Sequence, residues 1–225
     1  MRPRERLLKH GPKALSNEEL LAIILRNGSK TRNAIELAGD ILRQTGGFRK
    51  ILFSDISELS KFSGIGLAKW SELQACYELV KRALEEQLGV QAATEHPGLL
   101  REFLQTAIGY LDHEVFACLF LNHRHELIEF REMFRGNATQ TLIYPKEIAK
   151  EALKRNTTAL IVCHNHPSGN PLPSKADIQL TKVLQKTLAI IDINLLDHCI
   201  VTNSGFFSFK DANILKNKDF FISKY

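Results

Sequence analysis

Two imidazoles one residue apart stand in the run His164-Asn165-His166-Pro167-Ser168-Gly169, and Ser174-x-x-Asp177 follows. Two neutral ring nitrogens and one carboxylate suit a divalent metal such as Zn²⁺, and three protein ligands leave a fourth position open for water. A metal so held activates that water for attack. The residue types therefore point to a metal-dependent hydrolase.

These three groups must be brought together by the elements that carry them. Residues 158–163 are apolar and β-branched, which predicts a buried strand. Side chains alternate along a strand, so His164 and His166 share one side at its end while Asn165 faces the other. Pro167 cannot extend the ladder, and the turn-rich residues 168–173 return the chain over the site. A helix is predicted over residues 175–188, with Asp177 in its first turn. Ser174-x-x-Asp177 is also a capping box, a structural role compatible with a chemical one. A second His-x-His, His123-Arg124-His125, lies in a polar turn with no Ser-x-x-Asp after it, and reads as solvated. Asp197-His198 falls in the predicted strand 194–202, which can neighbour the site, and reads as a satisfied core pair in preference to a catalytic one.

The rest of the chain divides by pattern. Residues 4–88 read as helices joined by short turns, one starting at a Ser16/Glu19 capping box and one over 34–43 ending at Gly46-Gly47. Further helices are predicted over 56–62 and 68–86. The polar stretch 89–98, which holds Pro97, reads as a linker. Beyond it come a helix (99–111), strands (115–121, 127–134), a helix (146–155), the strand and helix already named, and strands at 194–202 and 206–209. The expectation is an all-α domain over 1–88 and an α/β domain over 98–225, whose mixed sheet is flanked by helices.

A net charge of +5 is concentrated in the first 90 residues and permits contact with a polyanion without requiring it. Cys76, Cys118, Cys163 and Cys199 form no Cys-x-x-Cys pair and read as reduced thiols. No apolar run reaches the roughly 20 residues of a membrane span, and no signal-peptide stretch opens the chain, so a cytoplasmic location is expected. A nucleobase deaminase is disfavoured because its His-x-Glu and Pro-Cys-x-x-Cys elements are absent.

His-x-His, seven residues of which Pro167 is the first, and Ser-x-x-Asp together resemble the JAMM motif of MPN-domain metalloproteases. The stretches HNHPSG, PSKADIQLT and LLDHCIV, with RPRERLLKHGPKALSNEELLAIILRNG and FSGIGLAKWSEL nearer the start, resemble the RadC family across almost the whole chain. The resemblance implies an MPN fold, a Zn²⁺ site of His164, His166 and Asp177, and cleavage of a peptide or isopeptide bond in a protein or peptide substrate. It also implies an upstream glutamate as general base and a serine, Ser174, that stabilises the oxyanion or orients water. Glu114, at the head of the apolar run 115–121, is the preferred glutamate over Glu126, Glu129 and Glu132, which sit in a strand mixed with Arg131. The stretch from Phe62 to Lys69 is similar to a helix-hairpin-helix element. There Gly64, Gly66 and Lys69 could contact a DNA phosphate or serve as a purely structural turn. A DNA-associated binding protein with a metal-binding MPN domain is the rival reading.

Overall fold

The computed structural model describes residues 1–136 and 143–215. The chain divides into two compact units, residues 1–80 and 81–225, and the last ten residues of the second lie outside the described part.

The first unit is helical: α1 (Pro3–His10), a 3₁₀ turn (Pro12–Ala14), α2 (Asn17–Leu25), α3 (Ala34–Thr45), α4 (Phe48–Phe53), α5 (Ile56–Leu59) and the start of α6 (Leu67–Val90). Ser16 and Asn33 open α2 and α3 with reciprocal capping boxes to Glu19 and Glu36, and Gly46 closes α3 in the left-handed conformation. Leu21, Leu25, Leu37, Ile41, Ile51, Leu59, Ile65 and Leu73 form the core. Helix α1 buries no residue, so it has no apolar stripe to betray it. Arg6 ties it down through Glu19 and the Ala14 carbonyl. The short α4 buries Ile51 alone and is likewise invisible to periodicity.

The second unit begins within α6. The predicted linker at 89–98 is instead built into it. Helix α6 continues to Val90, Leu88 and Ala93 join the core, and the Ala93 N–H donates to the His125 carbonyl. The change in composition there marks a helix end rather than a gap between cores. The remaining elements are α7 (Pro97–Ile108), β1 (Val115–Leu121), β2 (Leu127–Arg135), α8 (Pro145–Lys154), β3 (Ala159–Asn165), α9 (Lys175–Ala189), β4 (Asn194–Val201) and β5 (Phe206–Ser208).

The five strands form one mixed sheet in the order β2-β1-β3-β4-β5, antiparallel except for the β3–β4 pair that α9 bridges. One face, with Val115, Ala117, Leu119, Ile161, Cys163, Cys199 and Val201, packs on α7. The other, with Phe116, Cys118, Phe120, Leu160, Val162 and Ile200, packs on α8 and α9. Helices thus cover both faces, and β1 and β3 are buried throughout. One irregularity matters for the site: Leu160 pairs with Leu195 but Ile161 pairs with Asp197. Leu196 is therefore an extra residue in β4, and every later side chain of that strand changes face relative to a regular ladder. Among the described residues no helix is long and apolar enough to cross a membrane.

Candidate metal centre

Strand β3 extends two residues past its apolar run and takes in His164 and Asn165. His164 follows Leu160 and Val162 onto the face covered by α8 and α9, and its ring lies parallel to that of Phe116, its β1 partner, with centroids 6.2 Å apart. The His166 N–H donates to the Val201 carbonyl (2.9 Å), which carries the pairing with β4 one step beyond the strand. Pro167 then ends the ladder. Gly169, at φ +84°, turns the chain and donates its N–H to the His166 carbonyl (3.0 Å). The turn places the Asn170 carbonyl 2.8 Å from His166 Nδ1, which fixes that nitrogen as a donor and leaves Nε2 as a lone pair.

Ser174 caps α9. Its Oγ accepts from the Asp177 N–H (3.2 Å), and its own N–H donates to Asp177 Oδ2 (2.7 Å). The capping box holds the carboxylate against the imidazoles, because Asp177 Oδ1 lies 3.3 Å from His164 Nε2 and Oδ2 lies 3.8 Å from His166 Nε2. The two Nε2 atoms are 2.9 Å apart. One donor atom from each of the three residues thus converges within 4.8 Å, the only such group of His, Cys, Asp or Glu among the described residues. Burial pushes the His164 ring down to about pKa 4, against the opposing pull of Asp177, so near neutral pH it presents a lone pair rather than a proton.

Glu114 precedes β1. The pairing of β1 with β3 ends at Phe116 and His164, and Glu114, two residues before Phe116, feels the charges of both His166 and Asp177. Burial raises its carboxyl above the ordinary glutamate range, with the nearby Asp177 adding to the rise and His166 opposing it. Asn165, on the opposite face, secures this segment. Its Oδ1 accepts from the Val115 N–H (2.7 Å), and its Nδ2 donates to the carbonyls of His113 (2.9 Å) and Leu111 (3.3 Å). Glu114 is thereby clamped on both sides by the residue between the two histidines. The other three glutamates are engaged elsewhere: Glu126 with Asn122, Glu129 with Arg155, and Glu132 with Arg135.

The expected Asp197–His198 pair is not a pair of side chains. Asp197 faces the α7 side and accepts from Ser208 Oγ (2.6 Å), the Lys210 N–H and the His198 backbone N–H. His198 faces the opposite side, with Nε2 2.9 Å from His164 Nδ1 and Nδ1 2.6 Å from Thr181 Oγ1. The strand does neighbour the site, but through His198 alone, because the extra Leu196 sets which face each of the two residues takes. His125 occupies a left-handed turn position (φ +62°) and contacts Thr94 Oγ1 through Nδ1.

In the helical unit, Gly64 sits at φ +95°, where a Cβ would come within 2.9 Å of Ser29 Cβ, while Gly66 has open space around it. The Lys69 ammonium donates to the carbonyls of Asn27 (2.7 Å) and Gly28 (3.1 Å). This lysine staples the 27–28 turn to the start of α6.

A family model described as a RadC-like JAB domain matches residues 94–214, and one described as UPF0758 N-terminal matches residues 1–71. A UPF0758 protein of Leptothrix cholodnii is 47% identical over 96% of this chain and 97% of its own length. UPF0758 proteins of Pseudomonas fluorescens and Aromatoleum aromaticum are 46% and 48% identical, each over 89% of both chains.

Proposed function

The chain belongs to the RadC-like JAB-domain family, and from that premise we propose that it is a zinc-dependent hydrolase of JAMM type acting on a peptide or isopeptide bond. One observation carries the reading: His164, His166 and Asp177, from two separate elements, aim one donor atom each at a common point beside Glu114. The donor set fits. Zinc–nitrogen bonds of about 2.0–2.1 Å place tetrahedral ligand atoms roughly 3.3 Å apart. The 2.9 Å between the two Nε2 atoms and the 3.3 Å from His164 Nε2 to Asp177 Oδ1 bracket that value, while the other carboxylate oxygen, Oδ2, lies 3.8 Å from His166 Nε2.

When bound, the ion supplies a Lewis acid that brings the ionisation of water down toward about pH 7. The chain's own groups do the rest. Glu114, with its proton affinity raised by partial burial, takes a proton from water as the oxygen attacks the carbonyl carbon. It returns that proton to the nitrogen as the C–N bond breaks, which leaves a carboxylate product and a free amine. The Ser174 hydroxyl uses its oxygen to accept from Asp177 N–H, so its proton is available to a developing oxyanion. The Asn170 carbonyl keeps the His166 ring from turning.

Metal analysis of the purified protein, with fluorogenic peptides and isopeptide-linked conjugates as substrates, tests the reading. One ion per chain is expected, with cleavage abolished by chelation. Glu114→Gln should retain the ion and lose about 10²-fold or more in turnover. A protein that takes up no ion after supplementation overturns the reading.

A further inference from the structure

We propose that His198 is a positioning residue that, with Thr181, fixes His164 as an Nε2 ligand and ties it to the helix bearing Asp177. The inference rests on the metal reading above and extends it to two residues outside the ligand set.

The argument follows the protons. A lone pair on His164 Nε2 places that ring's proton on Nδ1, which lies 2.9 Å from His198 Nε2. His198 Nε2 must then accept, so its own proton is on Nδ1, 2.6 Å from Thr181 Oγ1. Thr181 accepts that proton and donates its own to the Asp177 carbonyl at 2.6 Å. Each donor meets an acceptor, and the chain starts at one ligand and ends on the backbone of another. It crosses from β3 through β4 to α9 without using the exposed mouth of the site. The reverse arrangement would put a proton on His164 Nε2, where the ligand lone pair is required.

The His198 ring has no freedom to leave this position. It is fully buried, stacked on Phe209 with centroids 4.6 Å apart, and set edge-on to Phe116 at 5.8 Å. Partners that hold the second nitrogen of a metal-binding imidazole typically change metal affinity 10–100-fold when removed.

The test is a chelator-competition titration of the full-length protein with Zn²⁺, repeated with Co²⁺ for its absorption spectrum. His198→Phe keeps the ring shape and removes the acceptor. It should weaken binding about 10–100-fold and shift the Co²⁺ bands, while the metal-free melting temperature stays close to wild type. His198→Gln, which offers an acceptor and a donor, should recover most of the affinity, and Thr181→Val should cost less than His198→Phe. Imidazole nitrogen NMR of the zinc-loaded wild type reads the tautomer directly, whether or not the variants fold, and should show His198 protonated on Nδ1. Wild-type affinity in His198→Phe, or a His198 proton on Nε2, overturns the inference and leaves the metal reading intact. A wild type that binds no ion overturns both.

Discussion

The molecule carries His-x-His twice, and the two pairs have opposite fates. His164 lies buried near the end of the β3 ladder and half-buried His166 one residue beyond the strand, where the pairing with β4 still holds the backbone and Pro167 stops the chain. His123 and His125 occupy the turn between β1 and β2, where His125 takes a positive φ that breaks the alternation. The first pair faces a carboxylate delivered by a helix N-terminus, whereas the second meets Thr94. Spacing alone thus has no chemical meaning. It acquires one from an extended backbone and from a third group brought in by another element.

Replacing the residues of each pair should give the sharpest contrast. His164→Ala or Asp177→Asn should weaken Zn²⁺ binding by more than about 100-fold, since a ligand counts for more than the residue that holds its far nitrogen. His125→Ala should leave the stoichiometry and affinity as they were. Equal losses in both titrations would erase the distinction.

Asn165 has no counterpart in the other pair, where Arg124 holds the middle position. Asn165→Ala should leave the zinc affinity within a few-fold of wild type, because the ligands remain. Turnover should nonetheless fall about 10²-fold, as expected when a reacting group is misplaced by about 1 Å. The clamp on Glu114 is secondary if metal affinity and turnover fall together.

Acid should also separate the environments. The His164 ring titrates near 4 in the folded protein, against about 6.5 in an unfolded chain. The unfolded state therefore takes up its proton first, and the metal-free protein should lose stability as pH falls from about 6.5 toward 4. Denaturant melts across that range should show the slope, and His164→Ala should reduce it, the fully buried His198 ring, which burial also pushes down, keeping the remainder.

The smallest effect contrasts two capping boxes. Ser16→Ala and Ser174→Ala should each cost about 1 kcal/mol in denaturant melts. Only the change at Ser174 should also weaken metal binding, because its cap aims the Asp177 carboxylate at the imidazoles.

Much of this was legible in the chain itself. The apolar run before His164 reveals a strand, strand alternation puts the two rings on one side, and Ser174-x-x-Asp177 marks the helix start. Glu114 depended on the resemblance together with the unbroken apolar run of β1. Other features left no trace. Helix α1 buries nothing and so has no periodicity to detect. The polar stretch after residue 88 looked like a linker although Leu88 and Ala93 belong to a core. Asp197 and His198 looked like partners because they adjoin in sequence, yet strand geometry sends them to opposite faces.

The supernumerary Leu196 has a consequence for how this architecture can change. Excising it would restore an unbroken ladder and leave Asp197 and His198 on the sides they hold now. Straightening β4 with the residue retained would instead slide the strand by one place from that point on, carry the His198 ring over to α7 and take away the imidazole behind His164. The fault line of the site therefore lies in the register of β4, where a slip would disable it with all three ligands still in the sequence.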